Sequence, residues 1–138
     1  MNNREIKEKL NINLHNTLAT AIGLEITDAG KEYVCGKIPI DHRTVQPFGL
    51  LHGGASVALA EILGSLAGNM QVDFDKEMVV GVEINANHLK SVKDGWAHGK
   101  ATPIKIGRRI QVWKIKITND NDELVCISRL TLAVVPKK

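Results

Sequence analysis

The sequence contains few aromatic residues and few cysteines, and each shortage excludes a class of protein. Two Phe, two Trp and one Tyr make up 4% of the 138 residues. That is too few for the stacked aromatic platforms that bind single-stranded nucleic acid. Cys35 and Cys126 stand far apart, with no CxxC motif or Cys/His cluster beside either. We therefore expect two buried thiols, no disulfide framework and no metal site.

Long apolar runs are also missing. The N-terminal stretch MNNREIKEKLNINLHNTL is charged and polar, and the longest mostly apolar stretch is interrupted by Glu61. A signal peptide needs an uninterrupted apolar segment, and a membrane-spanning helix needs about 20 apolar residues. The sequence therefore predicts a cytoplasmic protein with no membrane partner.

Charge is distributed unevenly along the chain. The net charge is +3, but residues 1–75 carry six Lys/Arg against nine Asp/Glu, and residues 76–138 carry twelve against six. A basic second half is compatible with nucleic acid, with a phosphorylated ligand or with a solvated face. Because the first half is acidic and aromatic residues are scarce, we expect no nucleic-acid partner.

Apolar periodicity predicts a single α+β domain over residues 1–138. Ile6, Leu10, Leu14 and Leu18 recur at four-residue steps, which predicts an amphipathic helix within an N-terminal helical segment, residues 1–20. Residues 53–69 are apolar nearly all round, which is typical of a helix buried on most sides. Six segments have the composition and alternation of strands: 24–27, 33–40, 78–89, 95–102, 109–118 and 123–135.

Short turns between these segments predict antiparallel neighbours. Asp94-Gly95 is a strong two-residue hairpin signal, because both positions tolerate a positive φ. One hydrophobic helix must then lie across the concave face of the sheet. We expect a curved antiparallel sheet of about six strands wrapped around one long central helix, with an exposed sheet edge that a second copy covers.

The central helix carries polar residues that need an explanation. Glu61, Ser65 and Asn69 are spaced four residues apart and so share one face, while Ser56 lies nearer the start. One interpretation is a polar stripe that faces solvent or a subunit interface. The other is a pocket wall from which the carboxylate of Glu61 acts as a general base.

His52-Gly53-Gly54 immediately precedes this helix. The first backbone N–H groups of a helix carry the positive end of its dipole, so a carbonyl or oxyanion could bind at Gly53. The alternatives are close packing at the two glycines and a simple N-cap role for His52.

Distance restricts how Gly53 and Glu61 can cooperate. They are eight residues apart on one helix, which corresponds to about 12 Å along its axis. One small reacting group cannot contact both. If they serve one reaction centre, Glu61 must come from a second copy related by a two-fold axis.

Several motifs together resemble those of hotdog-fold thioesterases of the phenylacetate-degradation type. They are QPFGLLHGGAS at residues 46–56, Ala60-Glu61, Gly64-Ser65, VGVEINANH at residues 80–88, and Gln111-Val112-Trp113. The resemblance covers most of residues 24–135. It implies the hotdog fold and hydrolysis of an acyl-CoA thioester without a cofactor, coenzyme A being part of the substrate.

The resemblance also implies roles for particular residues. Glu61 would be the catalytic carboxylate, as nucleophile or general base, and Gly53 N–H would polarise the thioester carbonyl. Gln46 would help to hold the acyl group or water, His52 would support the thioester or leaving group, and Ser65 would orient water or substrate. The residues implied in coenzyme A binding are His88, Lys90, Ser91, Gly107, Arg108 and Arg109.

The implied assembly is a homo-oligomer. The resemblance places the acid of each site on the partner subunit, in agreement with the spacing argument, and the predicted assembly is a dimer that forms the active site and a tetramer of two such dimers. The sequence alone leaves dimer and tetramer open.

The implied substrate is an aromatic acyl-CoA, with 1,4-dihydroxy-2-naphthoyl-CoA of menaquinone biosynthesis as the first candidate. A broad-specificity or proofreading thioesterase of a phenylacetate or siderophore pathway is the alternative. A hotdog dehydratase is less compatible, because its loop motif, a His followed by Phe-Pro-Gly, is missing. A non-catalytic acyl-CoA-binding protein would not need the carboxylate of Glu61.

Overall fold

The computed structural model describes all 138 residues and contains three helices and six strands. The helices are α1 (Asn3–Asn13), α2 (Leu18–Ala21) and α3 (Gly53–Asn69). The strands are β1 (Glu25–Gly30), β2 (Tyr33–Pro39), β3 (Glu77–His88), β4 (Trp96–Ile106), β5 (Ile110–Thr118) and β6 (Leu124–Pro136). No helix is both long enough and apolar enough to cross a membrane.

The N-terminal segment is divided where the sequence predicts one continuous helix. Leu14 ends α1, its N–H donating to the carbonyls of Asn11 and Ile12. Asn16 then takes a left-handed backbone with φ 59°, which a helix cannot continue through. Thr17 caps α2 by accepting a hydrogen bond from Ala19 N–H. The local cap and turn therefore override the four-residue apolar spacing.

All six strands form one antiparallel sheet in the order β1-β2-β4-β5-β6-β3. The predicted α+β class and the predicted number of strands are confirmed. In β2 the alternation of buried and half-buried residues places Val34, Gly36 and Ile38 on the buried face, as the sequence pattern predicts.

The prediction that Asp94-Gly95 joins adjacent strands is wrong. Strand β3 pairs only with β6, at the far edge of the sheet, and β4 lies between β2 and β5. Gly95 does adopt a positive φ, 82°, but its carbonyl accepts a hydrogen bond from Ile40 N–H at the end of β2. The turn therefore leads the chain into a strand that pairs with β2 and β5 and not with β3.

Helix α3 packs mainly against five of the six strands, β2 to β6. Five strands span about 19 Å, whereas a helix with its side chains is only about 10 Å wide. The sheet must therefore curve around α3. Its buried side consists of small and aliphatic residues: Ala55, Ser56, Leu59, Ala60, Leu63, Gly64, Ala67 and Gly68.

Close approach of α3 to the sheet requires glycine at two helix positions. A Cβ on Gly64 would lie 2.5 Å from Leu130 Cδ2, and one on Gly68 would lie 2.5 Å from Leu132 Cδ1. Beneath the end of the helix, Gln111 is 1% exposed. Its Nε2 donates to Gly68 O and its Oε1 accepts from Trp113 Nε1. Gln111 thus satisfies the buried indole N–H of Trp113 and gives the Gly68 carbonyl a second hydrogen bond beside that from Gln71 N–H.

The two edges of the sheet differ in how they are covered. At the β1 edge, the side chain of Asn11 on α1 accepts from Ile26 N–H at 2.9 Å and donates to Ile26 O at 3.1 Å. One amide side chain therefore replaces a neighbouring strand at this position. At the other edge, the 12 residues of β3 pair with β6 on one side only. Val80 and Val82 are exposed there, so β3 is an open, partly apolar edge.

The Asn11 contacts predict a measurable loss of stability in the Asn11→Ala variant. Removing the side chain leaves the N–H and C=O of Ile26, a residue only 1% exposed, without their partner. We expect the free energy of unfolding in urea to fall by about 1–3 kcal/mol. Asn13→Ala in the same helix is the matched control, because Asn13 is exposed, and it should change stability by no more than about 0.5 kcal/mol. Equal urea midpoints for the two variants would contradict the stabilising role of the hydrogen bonds between Asn11 and Ile26.

Candidate active site

The loop before α3 is fixed at both of its ends. Thr44 is 2% exposed, and its Oγ1 donates to Pro39 O at 2.6 Å. Its carbonyl accepts from His52 N–H at 2.8 Å, and Leu51 N–H donates to Val92 O at 2.8 Å. These bonds hold the residues around His52 at the start of the helix.

Gln46 lies at the tip of this loop. Its Oε1 accepts hydrogen bonds from the backbone N–H groups of Phe48 and Leu50, and its backbone pairs with Leu50 and Gly49. The side-chain oxygen of Gln46 therefore shapes the loop. Only its Nε2 is left to donate a hydrogen bond to a ligand.

His52 is the N-cap of α3. Its Nδ1 accepts from Gly54 N–H at 2.8 Å, so the neutral ring carries its proton on Nε2. The N-cap alternative raised by the sequence is thus realised, while the exposed Nε2 stays available to a substrate.

The Gly53 N–H donates no hydrogen bond within the chain. It is a free donor at the positive end of the helix dipole.

A cleft of about 230 Å³ opens at this helix start. A Cβ on Gly53 would lie 3.0 Å from His88 Nε2, so the imidazole lies directly against the glycine. The residues that line the cleft are Leu51, Gly53, Ser56, His88, Leu89, Lys90, Ser91 and Val125. The structure therefore brings His88, Lys90 and Ser91, three of the predicted coenzyme A contacts, together with Gly53.

Lys90 is engaged within the chain. Its Nζ lies 3.4 Å from Glu123 Oε2. Hydrogen bonds from Asn119 and then from Lys90 lower the pKa of Glu123. Both partners are about half exposed, so this ion pair is solvent-screened and can open to admit an anionic ligand.

Glu61 lies in a second, mostly apolar cleft of about 270 Å³. Its carboxylate forms no hydrogen bond or ion pair within the chain. A Cβ on Gly81 of β3 would lie 2.7 Å from Glu61 Oε2, so Glu61 extends over β3 toward the open edge. The lining residues are Leu14, Thr17, Leu18, Ala19, Glu61, Ile62, Ser65, Leu66 and Asn69.

Two polar neighbours of Glu61 on α3 differ in function. Ser65 lines the same cleft, as its spacing of four residues from Glu61 predicts. Asn69 accepts a hydrogen bond from Val79 N–H at 2.9 Å, so it joins the end of α3 to β3. The polar stripe of the sequence therefore combines a free carboxylate and hydroxyl with a structural amide.

The two clefts share no lining residue. The turn with Gly107, Arg108 and Arg109 is remote from the cleft at Gly53, because it adjoins Gln111 and Val134 at the end of the sheet under the C-terminal half of α3. One chain thus does not bring Arg108 and Arg109 to Lys90, nor Glu61 to Gly53. Within one chain, one small reacting group therefore cannot contact both Gly53 and Glu61.

Basic residues of the second half are not gathered at the cleft. Lys100, Lys114 and Lys116 lie on the sheet face opposite α3, around an open cleft that also contains Cys35. Burial raises the pKa of the Cys35 thiol, and burial also raises that of Cys126. The excess of basic residues in the second half of the chain therefore lies mainly on a solvated face of the sheet. Lys90 is the basic residue that lines the cleft at Gly53.

Sequence patterns gave no signal for two features of the site. The N-terminal segment supplies one wall of the Glu61 cleft through Leu14, Thr17 and Leu18, although its apolar spacing predicts only a surface helix. Gly81 makes room for the carboxylate, and a glycine within a strand does not reveal which side chain lies above it. The first feature arises where the N-terminal segment lies beside α3, and the second where α3 lies over β3.

The site offers two chemical groups without partners. A free backbone N–H at a helix start stabilises negative charge on a carbonyl oxygen. A carboxylate in a mostly apolar cleft can act as nucleophile or as general base toward water. Together these groups suit hydrolysis of an activated acyl compound.

Comparison with known proteins places the chain in a family. The model of the thioesterase superfamily matches residues 48–126. A 1,4-dihydroxy-2-naphthoyl-CoA hydrolase of Escherichia coli is 42% identical over 128 residues, 93% of this chain and 93% of that protein. A proofreading thioesterase, EntH, of Cronobacter turicensis is 44% identical over 128 residues, again 93% of each chain.

A solved structure agrees with these matches. The crystal structure of a thioesterase from Haemophilus influenzae superimposes with a TM-score of 0.90 at 48% sequence identity, covering 94% of this chain and 90% of that one. The protein therefore belongs to the thioesterase superfamily, has its hotdog fold and is a thioester hydrolase.

Proposed function

We propose that the protein hydrolyses an aromatic acyl-CoA, with 1,4-dihydroxy-2-naphthoyl-CoA, an intermediate of menaquinone biosynthesis, as the first candidate. The observation that carries the proposal is the unpartnered carboxylate of Glu61 in a cleft walled by Leu14, Leu18, Ile62 and Leu66. An apolar wall accepts an aromatic acyl group, and the carboxylate lies beside it. The E. coli relative named for this substrate supports the choice.

The active site of this proposal is shared between two copies of the chain. Strand β3 is long, open and partly apolar, and an unpaired edge of that kind is normally covered. A second copy can pair with it antiparallel about a two-fold axis. The opposite edge is already covered in part, since α1 lies along β1 and Asn11 occupies the backbone N–H and C=O of Ile26.

Strand β3 itself relates the two halves of the site. Glu61 lies over Gly81 in the first half of β3, and Gly53 lies against His88 at its end. In an antiparallel pair of β3 strands, the first half of one strand faces the second half of the other. Glu61 of one copy is thereby carried toward Gly53 of the other, and two such sites form per dimer. A tetramer of two dimers is compatible with this arrangement.

The residues would then divide the reaction among them. Gly53 N–H polarises the thioester carbonyl. Glu61 of the other copy either takes a proton from a water that Ser65 orients, so that this water attacks the carbonyl carbon, or attacks that carbon itself to form a mixed anhydride that water then hydrolyses. In both routes the C–S bond breaks, the leaving thiolate takes up a proton derived from the water, and the products are the carboxylic acid and the thiol of coenzyme A. His52 supports the departing sulfur. The Nε2 of Gln46 donates a hydrogen bond that holds the acyl group or the water. Two sets of residues hold the coenzyme A portion, because cations suit its phosphates. One set is His88, Lys90 and Ser91, and the other is Gly107, Arg108 and Arg109.

The aromatic preference predicts the outcome of a coenzyme A release assay. We expect kcat/KM for 1,4-dihydroxy-2-naphthoyl-, hydroxybenzoyl- and benzoyl-CoA to exceed that for hexanoyl- and palmitoyl-CoA by at least about tenfold. A thiol reagent follows the released coenzyme A. A preference for the aliphatic thioesters would overturn the aromatic assignment. Rates for benzoyl-CoA above those for the naphthoyl thioester would favour the proofreading alternative instead.

A shared site predicts complementation between two inactive variants. Glu61→Gln removes the carboxylate and Gly53→Val blocks the amide, so each protein alone should lose at least about 100-fold in kcat. In a mixed dimer one of the two sites contains both native residues. Refolding an equal mixture should therefore restore about one quarter of wild-type activity, because half of the dimers are mixed and each has one intact site.

The control for this experiment is a mixture of Glu61→Gln with the second acidic-site variant Glu61→Ala. Neither chain of that mixture can supply the carboxylate, so no activity should return. Absence of recovery in the Glu61→Gln and Gly53→Val mixture, when its dimers form normally, would locate the complete site within one chain.

The position of Gly81 predicts a variant that is folded and impaired. An added methyl group in Gly81→Ala would lie 2.7 Å from Glu61 Oε2, and the flexible carboxylate must move away. We expect kcat to fall by about tenfold to 100-fold with little change in the thermal midpoint, since the displaced carboxylate has no partner within the chain. Ile104→Ala, at an exposed position of β4 that lines neither cleft, is the control and should retain its kcat. Wild-type turnover in Gly81→Ala would show that the carboxylate does not need its present position.

A further inference from the structure

The first turn of α3 has only one backbone donor to offer. Gly54 N–H donates to His52 Nδ1, and the N–H groups of Ala55 and Ser56 both donate to His52 O. Gly53 N–H alone has no partner in the chain. A carbonyl oxygen that becomes an oxyanion has more than one lone pair to satisfy, and oxyanion sites combine donors from backbone and side chains. The helix start therefore lacks a second backbone donor for this purpose.

Ser56 supplies a hydroxyl at the same place. The residue is 1% exposed, its hydroxyl forms no hydrogen bond, and it lines the cleft with Gly53 and His88. Ser128 Oγ is the one fully enclosed side-chain polar atom without a partner. The Ser56 oxygen is unpartnered as well, but it is not enclosed. Its small accessible surface therefore opens into the cleft.

Helix geometry directs this hydroxyl toward Gly53. Residues three apart lie on one face of a helix, and side chains lean toward the helix N-terminus, over the preceding turn. The preceding turn here begins at Gly53, which has no side chain to intervene. A buried hydroxyl without a partner costs free energy, so a ligand that accepts its hydrogen bond removes a penalty present in the empty cleft.

Of the other polar groups near this position, the His88 imidazole also lies against Gly53, but this residue is exposed to solvent whereas Ser56 is buried. The Nδ1 of His52 already accepts a hydrogen bond and carries no proton. Lys90 is paired with Glu123, and Ser91 is exposed at the rim.

We propose that Ser56 is a catalytic residue whose hydroxyl donates a second hydrogen bond, beside Gly53 N–H, to the thioester carbonyl oxygen. The proton stays on Ser56 throughout. As the carbonyl carbon is attacked, its oxygen gains negative charge, and the two hydrogen bonds strengthen. When the C–S bond breaks, the carbonyl is restored and the hydrogen bonds weaken again. This role rests on the proposed function of Gly53, but not on the identity of the acyl group.

Ser56→Ala tests the proposal with the best acyl-CoA substrate of the release assay. Because the hydrogen bond strengthens in the transition state, we expect kcat to fall on the order of 100-fold with KM changed less than about threefold. Ser56→Thr, which keeps a hydroxyl, should recover at least about tenfold of that loss. The affinity for a thioether analogue of the substrate, which has no carbonyl oxygen, should be the same for wild type and Ser56→Ala.

Ser128→Ala is the matched control, since it also removes the hydroxyl of a buried serine without a hydrogen-bond partner. Ser128 does not line the cleft. It should keep wild-type kcat. Unchanged kcat in Ser56→Ala, beside an inactive Gly53→Val, would overturn the role of Ser56 and leave the proposed function intact. A Ser56→Ala defect confined to KM, or an equal loss of thioether affinity, would equally overturn it, because the hydroxyl would then contact another part of the ligand. If Ser56→Thr does not fold, the kcat and thioether measurements on Ser56→Ala decide.

Discussion

Helix α3 packs against five strands at once, and the rest of the structure is arranged around that contact. The sheet curves to follow the helix, and Gly64 and Gly68 let the two approach closely. This packing uses one side of α3 for the core. The other side retains Glu61 and Ser65, half-buried and without partners. A single helix therefore supplies both the centre of the core and the candidate carboxylate.

Unequal sheet edges follow from the position of the N-terminal segment. Helix α1 lies along β1, where Asn11 satisfies both backbone groups of Ile26. The same segment continues through α2 to form a wall of the Glu61 cleft. The position of the N-terminal segment thus has two consequences, because the segment covers the β1 edge and also forms a wall of the Glu61 cleft. The β3 edge remains for a second copy, and it is also the strand that Glu61 and Gly53 both contact.

Sequence patterns predict local features of this protein better than strand partners. The apolar run of residues 53–69 predicts α3 with the bounds it has, and the alternation in β2 predicts its buried face. Asp94-Gly95 predicts a turn correctly and its partner strand wrongly, because a positive φ specifies the bend but not the strand that accepts the next hydrogen bonds. The choice of partner strand depends on residues far apart in the sequence, whereas a turn depends on neighbouring residues.

Prediction of the site has the same limit. His52, Gly53 and Glu61 are marked by composition and spacing, since a glycine pair before a helix and a carboxylate on an apolar one are both unusual. Gly81 and the N-terminal wall carry no such mark, because their importance arises only where β3 and α2 lie beside α3. Net charge misleads for a related reason. Lys114 and Lys116 add to the basic half of the sequence, yet they lie on the sheet face away from the helix.

The contrast between the two clefts gives a physical reason for dividing the site between subunits. One contains His88, Lys90 and Ser91 and suits the polar portion of a thioester of coenzyme A, whereas the other is walled by Leu14, Leu18 and Ile62 and suits an acyl group. The scissile bond of such a substrate lies where its polar and apolar portions meet. Within one chain, about 12 Å of helix separates the corresponding residues. In the proposed dimer, juxtaposing one copy's polar cleft with the apolar cleft of another would create that meeting point without unwinding α3, so the core helix would stay intact while the chemistry is assembled across the two-fold axis.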